Sequence, residues 1–226
     1  MQKIIIVFIL LISQTISAQN DSSTFQLKVN VDIASRYIWR GCDYFNSPAI
    51  QLDMEAVYKN KIGMGAWGSI SFAQQPIQEN NFFVFANIGH FSVYVYDYFF
   101  MNQSNDNHYF NYNDKQTGHT LSTDVSYTIS EKIPLTFLAS YNFWGNDTLH
   151  SNYIELSYSL KKQPIKLFCG ATFDKGWYGN GPGVVNTGIQ FSRSIKITNE
   201  FDLPLDIQCI INPQKENIFI VALIHL

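Results

Sequence analysis

The sequence has 226 residues and a formal net charge of −3, which excludes the strongly basic surface typical of nucleic-acid-binding proteins. Charged residues make up 15% of the chain and aromatic residues another 15%. That is few charges for a soluble domain, where they run near 25%. Beyond the N-terminus, the sequence has no stretch of about 20 apolar residues that could cross a membrane as a helix.

The N-terminus has the pattern of an export signal. Lys3 precedes an apolar run from Ile4 to Ile12, and small and polar residues follow as far as Ala18. The run is too short for a membrane anchor and is typical of a secretory signal peptide. The sequence therefore predicts a signal peptide at residues 1–18 and one exported domain at residues 19–226.

The first segment of the mature chain alternates between apolar and polar residues over most of its length from Phe25 to Arg40. A period of two residues indicates a β-strand, since a helix would repeat every 3.6 residues. The pattern predicts one long strand, with Tyr37 and Trp39 on its apolar face and Arg36 and Arg40 on the other. Strands of about 15 residues are long for a soluble domain.

The same alternation recurs along the rest of the chain, with no helical pattern between the segments. Together with the first strand, it predicts an all-β protein of about twelve strands. The further segments are residues 49–58, 62–72, 82–88, 91–100, 121–129, 134–143, 153–160, 165–173, 184–191, 205–211 and 218–226. Residues 82–88 and 91–100 carry aromatic side chains on both faces.

The connections alternate between tight turns, such as residues 59–61 and 89–90, and longer polar loops, such as residues 101–119. Short turns at one end and long loops at the other are typical of outer-membrane barrels. We therefore predict a transmembrane antiparallel up-and-down β-barrel with long external loops and short periplasmic turns. Residues 193–201 are long for a short turn and predict an extra ribbon. The alternative is an exported soluble β-sandwich or lipocalin-like barrel.

Aromatic residues on the apolar faces fall near the strand ends, and the strand centres are mostly aliphatic. Two aromatic belts around an aliphatic band are what a bilayer requires. The predicted aromatic girdle is Phe25, Tyr37, Trp39, Tyr58, Phe72, Tyr127, Tyr141, Phe143, Tyr158, Phe173 and Phe191.

Several motifs resemble the TorF-like porin family, whose first hairpin carries Ser-x-Tyr-x-x-Arg-Gly. Ser35, Tyr37, Arg40 and Gly41 stand at those positions, and Pro48 opens the second strand. Further similar stretches are "YNF" at 141–143, "YIELSYS" at 153–159, "IKIT" with "LPL" at 195–205, and "NP" at 212–213. The resemblance spans most of the mature chain and implies an outer-membrane barrel with a porin role.

Polar residues on the inner faces would line the lumen of this barrel. The candidates for a constriction are Arg36, Arg40, Asp32, Asp53, Glu55, Trp67 and Glu155. Arg36 and Arg40 are expected beside Asp53 and Glu55, because a hairpin joins their strands. These charges either form a selective ring or brace the wall through salt bridges. Trp67 and the tyrosines at 94, 96 and 98 either stack on sugars or fill the lumen.

The predicted function is a porin for small polar solutes, with outer-membrane lipid and the barrel-insertion machinery as partners. The alternative is a closed barrel acting as a structural protein, adhesin or receptor, and an outer-membrane lipid enzyme is less favoured. No catalytic residue, cofactor or metal site is predicted. His119 is expected to lie in a loop or the lumen, and the three cysteines are expected to be free.

Overall fold

A computed structural model describes residues 24–101, 108–113 and 116–226, so the predicted signal peptide at 1–18 lies outside the described residues. The described part is built of strands without helices, and none of it forms a helix able to cross a membrane. The strands are β1 (Phe25–Ala34), β2 (Ile38–Trp39), β3 (Cys42–Asp43), β4 (Ala49–Tyr58), β5 (Ile62–Ser71), β6 (Gln78–Ile88), β7 (Phe91–Met101), β8 (His119–Thr128), β9 (Leu135–Gly145), β10 (Asn152–Ser159), β11 (Ile165–Thr172), β12 (Gly183–Lys196), β13 (Asp202–Asn212) and β14 (Asn217–His225).

Twelve of these strands close into one barrel, in which β4 follows β1 and each later strand pairs with the next up to β14. Every neighbouring pair is antiparallel. The predicted fold class, strand number and up-and-down order are therefore confirmed. β2 and β3 form a separate two-stranded ribbon.

The barrel closes through a short seam between β1 and β14, whose register runs only from Asp32↔His225 to Ala34↔Leu223. His225 reinforces this seam from the inside. Its Nδ1 lies 2.7 Å from a carboxylate oxygen of Asp32, and its Nε2 lies 3.3 Å from one of Asp206 on β13. One imidazole therefore connects three neighbouring strands at the point of closure.

The outer wall is apolar, as the alternation predicts. Side chains at its centre, such as Leu52, Val84, Leu156 and Ile189, are between 42% and 50% exposed. Nine of the predicted girdle residues also lie on this wall. Eight of them are exposed, and Tyr127 packs on the Phe91 ring with centroids 4.7 Å apart. The eight are Phe25, Tyr58, Phe72, Tyr141, Phe143, Tyr158, Phe173 and Phe191.

Aromatic side chains also fill part of the inner wall, which accounts for the two ambiguous strands. Phe83 and Phe85 on β6 are buried in the lumen and stand in register with Gly65 and Gly63 on β5. A Cβ at Gly65 would lie 2.4 Å from the Phe83 ring, so glycine is needed for this close approach. The second set of aromatics on β6 and β7 therefore packs the barrel interior.

The two ends of the barrel differ as predicted. Turns such as 59–61 and 89–90 join strands at one end, and segments such as 35–48, 72–77 and 173–182 join them at the other. The connection at 193–201 is longer than the other turns at its end of the barrel because β12 and β13 continue to pair there, from Arg193↔Leu205 to Lys196↔Asp202. A short ribbon thus extends the short-turn end.

The prediction of one unbroken strand from Phe25 to Arg40 is wrong, because β1 ends at Ala34. The chain then turns into the lumen and forms a segment that we call the inward hairpin (residues 35–48), which contains β2 and β3. Placing Tyr37 and Trp39 in the aromatic girdle is therefore also wrong. Tyr37 is 8% exposed, and Trp39 packs against rings inside the barrel. Tyr37 and Trp39 keep the odd-numbered positions of the apolar face beyond the break, so the period of two residues did not reveal it.

Candidate functional site in the lumen

A two-residue turn forms the tip of the inward hairpin. Trp39 pairs with Cys42, and the intervening Arg40 and Gly41 have positive φ values of 52° and 76°. Two consecutive positive φ values are what a type I′ hairpin turn requires. A Cβ at Gly41 would lie 2.0 Å from the backbone oxygen of Val185 on β12, so the tip touches the wall directly.

Arg40 fixes this tip to the opposite wall. Its Nη2 donates to a carboxylate oxygen of Asp124 on β8 at 2.7 Å. Its Nη1 donates to Ser140 Oγ on β9 and to the Tyr178 hydroxyl, both at 2.7 Å. β9 is the sixth strand from β1 in either direction around the barrel. The Arg40 side chain therefore extends from the hairpin tip to the wall opposite β1.

Aromatic rings surround the Arg40 guanidinium, which lies 4.4 Å from the Trp39 ring centroid, 4.8 Å from that of Tyr153 and 5.2 Å from that of Tyr178. Burial works to lower the pKa of Arg40, but Tyr178 and Asp124 outweigh it and raise the pKa above its usual value. Burial also raises the pKa of the Tyr178 hydroxyl to about 12. Arg40 is therefore a cation and Tyr178 a neutral partner at ordinary pH.

A second segment, the β11–β12 loop (residues 173–182), packs against the inward hairpin near Cys42. Tyr178 is fully buried there. The Cys42 thiol lies 3.6 Å from the backbone oxygens of Trp177 and Tyr178 and accepts a hydrogen bond from Lys215 Nζ at 3.3 Å. Burial raises the pKa of this thiol. All three cysteines are free, as expected.

Tyr37 closes the remaining side of the mouth. Its ring centroid lies 5.0 Å from that of Phe45 and 5.5 Å from that of Trp67 on β5. Burial raises the pKa of the Tyr37 hydroxyl, and the neighbouring Glu79 carboxyl adds to the shift. The end of the lumen near the long loops is thus filled by packed side chains of the hairpin, the wall and the β11–β12 loop.

The hairpin leaves a cavity on each side of itself. The larger one, of about 370 Å³, lies against β4 to β8 and includes Asp53, Glu55, Trp67, Glu79 and Asp124 in its lining. We call it the acidic cavity.

The smaller cavity, of about 140 Å³, lies against β10 to β13 and includes Glu155 and Lys166. Glu155 accepts a hydrogen bond from the Tyr153 hydroxyl at 2.5 Å and another from Asn186 at 3.2 Å.

The structure places all seven predicted lumen residues inside the barrel or at its mouth, but pairs them differently from the expectation. Arg36 binds Asp43 within the hairpin at 3.0 Å and also contacts Asn46. Arg40 binds Asp124. The expected pairing of both arginines with Asp53 and Glu55 is therefore wrong, because the hairpin carries them away from β4.

Several residues of this site were missing from the predicted set, among them Glu79, Ser140 and Tyr178. β6 begins at Gln78, four residues before the predicted segment, and continuing its alternation toward the N-terminus would have placed Glu79 in the lumen. Ser140 lies on an inward-facing position of a correctly predicted strand. Tyr178 belongs to a loop, where no period indicates the direction of a side chain.

His119 lies on the outer face of β8, so its predicted placement in a loop or the lumen is wrong. Its Nδ1 is 2.7 Å from a carboxylate oxygen of Asp97, and its Nε2 contacts the backbone oxygen of Tyr109. The Tyr112 ring stacks on the imidazole with centroids 4.0 Å apart, and His119 is fully buried. These contacts attach residues 108–113 to the outside of the barrel.

Metal coordination has no candidate among the described residues. Nowhere in residues 24–101, 108–113 and 116–226 do three His, Cys, Asp or Glu side chains converge in a way that could hold a metal ion.

The fold and this lumen define a closed twelve-stranded β-barrel that fits the outer-membrane class, with its first long connection folded inside. The chain belongs to the Gcw_chp family, described as a bacterial protein of unknown function, whose family model matches residues 18–180. That match includes the inward hairpin, the residues of the acidic cavity, and Tyr178. A search of curated proteins and a search of solved structures found no match.

Proposed function

We propose that this chain is an outer-membrane barrel that conducts small polar solutes, and that the inward hairpin holds its lumen closed at rest. The observation that carries the proposal is the hairpin itself, which crosses the lumen and is fixed to the opposite wall through Arg40. A cavity lined by charged side chains remains beside it. Movement of the hairpin would join that cavity to the long-loop side.

The outer wall supports the membrane part of this proposal. A continuous band of exposed Leu, Ile, Val and Met side chains surrounds the barrel, and water would disfavour so large an apolar surface. The resemblance of the first hairpin to TorF-like porins supports the channel part. The signal peptide and the barrel-insertion machinery belong to the same proposal.

A closed barrel acting as a structural protein, adhesin or receptor is the second candidate. The dense packing around Arg40 and Tyr178 favours it, because both side chains are buried inside the barrel. A lipid enzyme has less support, because the Asp97–His119 pair on the outer face is covered by Tyr112.

Solute uptake by liposomes tests the proposal against this second candidate. The mature chain, residues 19–226, would be refolded into liposomes, and their swelling measured in isotonic arabinose. We expect slow swelling with the unaltered chain and faster swelling with Arg40→Ala, which frees the hairpin tip. Arg36→Ala is the matched control, since its ion pair lies within the hairpin. Equal, slow swelling with all three inserted proteins would support the closed barrel.

A further inference from the structure

Negative charge is concentrated on one side of the inward hairpin. Four carboxylates line the acidic cavity: Asp53, Glu55, Glu79 and Asp124. Arg40 neutralises Asp124 at 2.7 Å, and Lys28 Nζ lies 3.8 Å from Glu55 Oε2. Among the residues that the structure describes, no cation forms an ion pair with Asp53 or Glu79. Two carboxylates of this cavity are therefore left without a counter-charge.

Glu79 is the most deeply buried of the four carboxylates. It is 1% exposed, and only its Oε1 accepts a hydrogen bond, from Asn81 Nδ2 at 2.8 Å. Its Oε2 is buried without a partner in strict hydrogen-bonding geometry among the described groups, and the Tyr37 hydroxyl, which interacts with this carboxyl, lies beside it. A buried carboxylate in this state is costly unless a proton or a cation joins it.

Two neighbouring acids also have a carboxylate oxygen without a hydrogen-bond donor in the described part of the chain. Asp53 Oδ1 and Asp124 Oδ1 are also buried without a hydrogen-bond partner among the described residues. Three acceptor atoms on residues that line this cavity thus lack donors. A ligand that satisfied them would need N–H or O–H groups, and a positive charge would add to its affinity.

Aromatic rings provide the rest of the wall. The rings of Tyr94, Tyr96 and Tyr98 stack along β7 with centroids 5.6 Å and 5.3 Å apart, and Trp67 and Trp39 lie nearby. Such rings attract organic cations through their π faces and pack on alkyl groups. Arg40 over the Trp39 ring shows that this lumen already holds one cation in this way.

The register sets the separation between the two uncompensated acids. Asp53 is opposite Trp67, and Trp67 is opposite Asn81, which follows Glu79 by two residues. Strand spacing and rise place the two Cα atoms about 10 Å apart across the sheet and about 7 Å along it. Because both side chains extend into the lumen, a chain of about four carbons can bridge their carboxylates.

We propose that the acidic cavity binds a small organic diamine, with one ammonium group donating to Glu79 and the other to Asp53. The alkyl chain between them packs on the tyrosine rings of β7. This assignment names the solute class of the channel proposed above and rests on that proposal. A neutral polar solute would leave both carboxylates without a counter-charge.

Binding can be measured without conduction, which keeps the two proposals separable. The refolded mature chain in detergent micelles would be titrated with butane-1,4-diamine, with calorimetry and tryptophan fluorescence as readouts, since Trp39 and Trp67 line the cavity. Butane-1,4-diol has the same length without charge, and tetramethylammonium has charge without N–H donors. We expect saturable binding of the diamine, none of the diol and weak binding of tetramethylammonium.

Variants then locate the site. Glu79→Gln should weaken diamine binding about tenfold or more, since one charge-assisted hydrogen bond is lost. Glu200→Gln, an equal change of charge in the exposed β12–β13 turn, should leave it unchanged. If circular dichroism shows that the Glu79→Gln variant is unfolded, the Asp53→Asn variant serves as the cavity variant in the binding experiment.

The proposal is overturned if the diol and the diamine bind with equal affinity. It is also overturned if a folded Glu79→Gln or Asp53→Asn variant binds the diamine with the affinity of the unaltered chain. Diamine binding without uptake of either arabinose or butane-1,4-diamine by the Arg40→Ala liposomes would retain the site and reject the channel. Liposome swelling without diamine binding would reject the diamine as the solute and leave the channel proposal standing.

Discussion

At the scale of single residues, Arg40 explains why the hairpin stays inside the barrel. A cation removed from water needs partners for its charge and for its N–H groups. Arg40 finds Asp124 on β8, Ser140 on β9 and Tyr178 in the β11–β12 loop. One side chain therefore connects the hairpin to three separate elements, and its loss would leave Asp124 buried without a counter-charge.

Replacing Arg40 by Ala should lower the free energy of unfolding by about 3–5 kcal/mol, the usual effect of removing one partner of a buried ion pair. Urea denaturation of the refolded chain in lipid vesicles, followed by tryptophan fluorescence, would measure this loss.

Arg36→Ala provides the comparison for that measurement. The Arg36 side chain is 37% exposed and pairs with Asp43 inside the same hairpin. Its removal should cost at most about 1 kcal/mol, as for exposed ion pairs. Equal losses for the two variants would contradict the special role of Arg40.

At the scale of elements, the hairpin turn depends on a glycine in contact with the wall. Gly41 has a left-handed backbone conformation. A backbone oxygen of β12 also occupies the place where a Cβ of this residue would stand. Asn212 Nδ2 also donates to the Gly41 carbonyl at 3.0 Å. The turn is thus held between β12 and β13, and a side chain at this position would push the hairpin away from them.

Gly41→Ala should destabilise the barrel more than Gly89→Ala, a change at another left-handed glycine with open space around it. The backbone term is about 1–2 kcal/mol for each, and overpacking against β12 should add about 1–3 kcal/mol at Gly41 alone. Urea midpoints of the two variants would test this difference. Equal midpoints would mean that the hairpin tip does not touch the wall.

The wall strands could be predicted from sequence, because each has one face in an apolar medium and one in the lumen, and this produces a period of two residues. The inward hairpin could not, because Tyr37 and Trp39 continue the alternation although their apolar surroundings lie inside the barrel. The partners of Arg40 depend on barrel closure, since Asp124 is 84 residues away in sequence, and no local pattern could identify it.

At the scale of the whole molecule, the outer surface determines which solvent the barrel requires. Large apolar side chains point outward on every wall strand, and polar and aromatic ones line the lumen. In a bilayer this arrangement is stable, because lipid contacts the apolar band and the backbone groups of neighbouring strands pair with one another. In water the same surface would promote association.

Paired arginine substitutions in β10 test this orientation. Leu156 is outward-facing and 42% exposed, and Ser157 next to it faces the lumen. In lipid vesicles, Leu156→Arg should cost about 2–4 kcal/mol of unfolding free energy, because the charge enters the lipid-facing wall. Ser157→Arg should cost much less. A negligible cost for Leu156→Arg would favour a barrel whose outer wall contacts water.

The central claim is that a membrane-spanning barrel is closed by its own first long connection. Single-channel recording in planar bilayers tests it most directly, with residues 36–46 of the mature chain replaced by a short Gly-Ser linker. We predict steady conductance steps for this variant and silence or rare openings for the unaltered chain. If the shortened protein inserts but stays silent, or if both proteins conduct equally, the hairpin does not close a channel.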